Sequence, residues 1–82
     1  MRVRKKELGK ANISGANIEQ IRKHKGMRQK DLLIELQVRG IEISSSGISK
    51  IEGQIRTLND YELAAIADAL GVSMQKLCGL EE

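Results

Sequence analysis

The side chains with chemistry to offer are gathered in one stretch: Ser44, Ser45, Ser46, Gly47, Ile48, Ser49, Lys50, Ile51 and Glu52. Serine hydroxyls both donate and accept hydrogen bonds, and Lys50 adds a cation with N–H donors. At helical spacing Ile48 and Ile51 share one side. Ser45, Ser46, Ser49 and Lys50 point away from it. Such a helix is anchored by a narrow apolar stripe and turns small polar groups and a cation outward. That surface suits a polar, anionic partner.

Nothing in the chain argues for catalysis. There is a single histidine, His24, and a single cysteine, Cys78. Metal-assisted hydrolysis needs several His, Cys or carboxylate ligands to converge, and these two residues lie far apart. His24 reads as a surface residue near a helix end and Cys78 as a small buried hydrophobe. Residues 40–47 lack the glycine and Lys-Ser/Thr spacing of a phosphate-binding loop. No enzyme activity, cofactor or metal is expected.

The elements that must position the serine-rich stretch are short helices. Proline is absent and Tyr61 is the lone aromatic, so the core must be aliphatic. Ser14 is placed to cap a first helix, with Ala16, Ile18 and Ile21 inward, and Glu19, Gln20, Arg22, Lys23 and Lys25 in water. Gly26 stops it. A second helix starts at Arg28 or Gln29, carries an apolar stripe of Leu32, Leu33 and Leu36 with Val38 at its margin and Ile34 ambiguous, and ends by Gly40. Ile41 and Ile43 straddle Glu42 in an extended, partly tucked connector. Ser44 caps the third helix and Gly53 closes it. After a loop, Asn59 or Asp60 caps a fourth, whose Leu63, Ile66, Ala67 and Leu70 form a regular core face. Gly71 ends it. Ser73 caps a last short helix from Met74 to Leu77 or Cys78. The expectation is an all-α domain of five short helices over residues 14–80, behind a flexible basic arm at residues 1–13.

At 82 residues the chain is one small domain. It has no apolar run long enough for a membrane and no secretory signal at its start. A lone cysteine fits a reducing cytoplasm. Charge is divided unevenly: residues 1–30 hold ten Lys and Arg against two acids, and residues 31–82 hold four against nine. A basic half beside an acidic half suggests a polyanion partner on one face, and equally a solubilising basic tail with ordinary solvated helices; charge alone does not choose between them.

Two helices joined by a connector, the second rich in hydroxyls, match the organisation of helix-turn-helix readers. In those the second helix enters the DNA major groove while the first crosses the backbone. Gln29-Lys30-Asp31-Leu32, then Ser44 followed by Ile48-Ser49-Lys50-Ile51-Glu52, then Ala67-Asp68-Ala69-Leu70-Gly71-Val72-Ser73 together resemble the phage-repressor or Cro-type (XRE-like) helix-turn-helix domain. The upstream Ile21-Arg22-Lys23 and Lys25-Gly26-Met27 fit that family's first helix. The resemblance implies a lambda-repressor-like bundle whose third helix reads double-stranded DNA, usually as a homodimer on a near-palindromic operator. By the same resemblance Gln29 holds a phosphate, and Ser45, Ser46 and Lys50 read bases with Ser49 assisting. Arg56 reaches a phosphate, Glu52 supports the fold, and Ile48 and Ile51 are core.

Two features depart from the family pattern. The chain from Leu36 to Ser44 is longer than the usual tight turn, which leaves the angle of the third helix open. Gly47 stands inside that helix, where glycine costs about 1 kcal/mol relative to alanine. It serves either a close backbone approach to DNA or a helix that firms only when bound. For the dimer, Val72, Met74, Leu77 and Leu80 are the candidate apolar patch, with ordinary core as the alternative. The rival to a transcriptional repressor is an antitoxin or adaptor whose main partner is a protein. The ten cations in the first thirty residues favour DNA.

Overall fold

The computed structural model describes residues 11–80. Five helices follow one another: α1 Gly15–His24, α2 Gln29–Val38, α3 Ser45–Glu52, α4 Asp60–Leu70 and α5 Met74–Leu77. No strand occurs among the described residues. Helix α1 lies against α3, α4 and α5, α2 packs on α3 and α4, and α4 packs on α5. The core between them is aliphatic: Ile18, Leu32, Leu36, Ile43, Ile48, Ile51, Ile66, Ala67, Leu70 and Leu77 are all buried. Tyr61 is exposed and takes no part in it.

The helix starts follow the chain's short polar residues. Ser44 Oγ accepts from the Gly47 N–H, Asn59 Oδ1 from Glu62 N–H, and Ser73 Oγ from Lys76 N–H. Each supplies a partner to a first-turn donor that the helix leaves unpaired. At α4 the arrangement is reciprocal, since the Glu62 carboxylate accepts from Asn59 N–H. The start of α1 differs from the expectation. Ser14 is buried and its hydroxyl caps nothing; it lies 3.7 Å from Cys78 Sγ. The capping oxygen is Asn12 Oδ1, which accepts from Ser14 N–H at 3.0 Å and Gly15 N–H at 2.7 Å.

The connector between α2 and α3 has a simple construction. Gly40 N–H donates to Gln37 O and Ile41 N–H to Leu36 O, with Gly40 at a φ of 81°. That double bond pattern is the Schellman stop, and it brings Ile41 back over Leu36. Ile41 is half-buried, Glu42 exposed and Ile43 buried, so the extended chain is pinned by its two isoleucines. The extra length makes neither a further helical turn nor a loose loop. Val38 at the end of α2 stays in solvent, and Leu33 is half-buried.

Gly53 closes α3 as expected, its N–H bonded back into the last turn, at an ordinary φ of −80°. The left-handed residue is Gln54, at φ 64°. Its N–H donates to Ile51 O, and Ile55 N–H to Lys50 O. Glutamine is strained in this conformation. It is held there because its side chain is buried and donates from Nε2 to Asn12 O at 3.0 Å.

Candidate nucleic-acid interface

Helix α3 divides cleanly. Gly47, Ile48, Ile51 and Glu52 are buried, while Ser45, Ser46, Ser49 and Lys50 are exposed on the opposite side. The four α3 residues expected to face a partner therefore share one surface. The side chains of Ser45 and Lys50 make no hydrogen bond or ion pair with other described residues. Ser46 Oγ lies 3.1 Å from Ser44 Oγ, and Ser49 Oγ donates to Gln29 Oε1 at 3.1 Å.

What sets the angle of that surface is a polar chain beneath it. Arg22, expected in water, is buried on α1. Its Nε donates to Glu52 Oε2 at 2.7 Å and its Nη2 to Glu52 Oε1 at 3.1 Å. The side chains of the pair are only 6% and 3% exposed. Arg22 Nη1 also donates to Met27 O at 2.7 Å, so α1 holds the turn leading into α2. The hydrogen bond to Glu52 raises the Arg22 pKa further above its already high value, opposed by partial burial. Gln29, the first residue of α2, donates from Nε2 to Glu52 Oε1 at 2.8 Å while its Oε1 holds Ser49. Arg22, Glu52, Gln29 and Ser49 thus join α1, the start of α2 and the exposed face of α3 in one run of hydrogen bonds. Buried charges must be paired and hydrogen-bonded to be tolerated, and here every Arg22 guanidinium nitrogen and both Glu52 oxygens have a partner.

Gly47 has a reason other than the two expected. It is buried and its backbone is not left-handed. A Cβ built on it would lie 2.7 Å from Ile43 Cγ2 and 3.3 Å from Ser44 Oγ. Glycine lets the pinned connector close over the first turn of α3. The residue answers to the inside of the domain, not to the partner side.

Arg56 lies in the loop after α3, with its Nε near the space a Gly47 Cβ would fill. Its guanidinium is engaged within the domain: Nη1 and Nη2 each lie 3.1 Å from an oxygen of Glu62, and Nη1 also donates to Thr57 O. The hydrogen-bonded Arg56 guanidinium holds the Glu62 carboxyl below the usual glutamate range, against the effect of its burial.

Three residues that sequence reasoning missed hold the interface in place. Asn12 accepts from the start of α1 and donates from Nδ2 to Ile51 O at 3.1 Å and Arg56 O at 2.8 Å. One amide therefore satisfies free donors of α1 and ties them to carbonyls at the end of α3 and in the loop after it. Ala11 N–H adds a bond to Gln54 O. An Asx residue just before Ser-Gly was the one available signal for Asn12. Arg22 had its place four residues after Ile18, on the inward side of α1, but its partner Glu52 is distant in sequence, and Gln54 carried no signal.

Among the described residues no group of three or more His, Cys, Asp or Glu could hold a metal ion. No helix there is long and apolar enough to cross a membrane. The family model for Cro/C1-type helix-turn-helix DNA-binding domains matches residues 17–82. The chain belongs to this Cro/C1-type DNA-binding family. No curated protein and no solved structure matches it. In this Cro/C1-type domain the described α2, connector and α3 make up the helix pair, and the match runs on through α4 and α5.

Proposed function

We propose that the protein is a sequence-specific transcriptional regulator, acting as a repressor by occupying a near-palindromic operator as a homodimer. The observation that carries this reading is the exposed face of α3. It gathers Ser45, Ser46, Ser49 and Lys50 with no acid among them, on a helix whose angle is set by Arg22, Glu52 and Gln29. Ser45, Ser46 and Lys50 read base edges, where hydroxyls serve donors or acceptors and lysine serves guanine acceptors. Gln29 positions Ser49 and presents the first turn of α2 to a phosphate. Arg56 takes a phosphate from its place beside Glu62.

Affinity comes mostly from phosphates and specificity from bases. A single module of this size buries roughly 600–1,000 Å² of protein surface on DNA, which favours two copies on a two-part site. The protein acts by binding and performs no reaction.

Selection of bound duplexes from random DNA, followed by salt titration, tests the reading. The expected result is an enriched palindrome and an affinity that falls steeply with salt, by a slope of about −0.9 per phosphate contacted. Replacement of Lys50 by alanine should lower affinity about 5- to 150-fold and relax one base position, as removal of a base contact does. Absence of enrichment, or binding indifferent to salt, would remove the proposal in favour of a protein partner.

A further inference from the structure

Outside the α3 face, one surface combines apolar side chains with unengaged charge. A groove runs between α1 and α5, with Ile21 and Val72 among its lining and His24, Lys25, Lys76 and Gly79 beside them. Among the described residues no acid lines it. The arginines of the described chain, Arg22, Arg28, Arg39 and Arg56, all have carboxylate partners. Lys25 and Lys76 have none among the described residues. The groove asks for an aliphatic side chain followed by negative charge.

The chain itself contains that combination. Gly79 is followed by Leu80, Glu81 and Glu82. The Leu80 N–H is fixed on Gln75 O, its side chain is 64% exposed, and it does not line its own groove. We infer that the groove of one copy receives Leu80, Glu81 and Glu82 of a second copy, while that copy's groove receives the first one's segment. Such an exchange is self-complementary, as a two-fold interface must be. Exposed Met74 on α5 adds apolar surface to the same end of the domain.

This inference rests on the dimer proposed above and names its surface. It also revises the expected apolar patch: Leu77 is fully buried core, and Val72 serves as groove lining. No residue of α2 or α3 lines the groove, so the second copy and the DNA occupy separate faces. A contact this small falls at the low end of specific interfaces. The dimer is therefore weak and concentration-dependent without DNA.

Charge exchange tests it in the full chain by sedimentation equilibrium, with thermal melts to show that each variant is folded. Lys25→Glu/Lys76→Glu and Glu81→Lys/Glu82→Lys should each raise the homodimer Kd at least tenfold. Mixing the two variants should restore association near the wild-type Kd, because each segment then meets an opposite charge. A wild-type dimer with both variants unchanged, or a mixture that stays monomeric, overturns this surface and leaves the dimer reading standing. A wild type that shows no dimer at millimolar concentration overturns both. Whether the protein binds DNA at all is tested separately, by the duplex selection above.

Discussion

Glu52 is the residue on which the interface turns. Its two oxygens take Arg22 from α1 and Gln29 from α2, and its own helix carries the exposed serines. Removing one member of a buried ion pair strands the other charge, at a cost of about 3–5 kcal/mol. Glu52→Ala should therefore lower unfolding free energy by that order in urea titration, a large share of what so small a domain has. A loss under about 1 kcal/mol would mean that Arg22 finds water and that the pair is peripheral. Glu62 makes a related prediction in pH. Its folded-state pKa is depressed by Arg56, so its contribution is fully present above the usual glutamate range and is lost as pH falls through the folded value. Urea titrations across the acid limb should show Glu62→Gln losing less stability between neutral and acid pH than wild type. Parallel limbs would show that Arg56 does not shift Glu62.

Among the elements, α3 has the most conflict between local preference and packing. Helix propensity favours Gly47→Ala by about 1 kcal/mol. The connector opposes it, since the added methyl would stand 2.7 Å from Ile43 Cγ2. Overpacking in a fixed site costs about 1–3 kcal/mol, so the substitution should be net destabilising. In a double-mutant cycle Ile43→Ala should absorb part of that cost, giving a coupling above about 0.5 kcal/mol. Strict additivity would mean that Ile43 is not the obstacle. Gly47 also marks how far sequence reading extends. Glycines and short polar caps set most helix ends plainly, because their backbone chemistry is local. The inward role of Gly47 depends on the path of a connector whose length gave no angle. The burial of Arg22 depends on Glu52, thirty residues away; on α1 it falls four residues after Ile18, on the inward side, and only its charge reads as a wet-side residue. The serines and Lys50 were legible because the intervals of Ile48 and Ile51 decide which side is out.

For the whole molecule the decisive question is where the positive charge resides. Ten cations in the first thirty residues made the case for a polyanion partner. The structure spends Arg22 in the interior and pairs Lys23 with Glu19 and Arg28 with Asp31. Arg2, Arg4, Lys5, Lys6 and Lys10 lie outside the described residues. The expected arm thus holds half of those cations, and the packed domain already begins at Ala11 and Asn12, locked to the segment that follows α3. The two parts can be separated by experiment. Deleting residues 2–10 should leave the urea midpoint nearly unchanged, because the described aliphatic core and the Asn12 amide bonds lie within residues 11–80. Replacing Asn12 by alanine should instead cost about 1–3 kcal/mol for each buried group left without a partner. On an operator, the deletion should flatten the salt dependence, by about 0.9 for each phosphate the arm neutralises. Base preference should stay intact, since the α3 face is whole. A deletion that binds with an unchanged salt slope would assign the arm no part in DNA affinity and leave Lys30, Lys50 and the start of α2 to supply it.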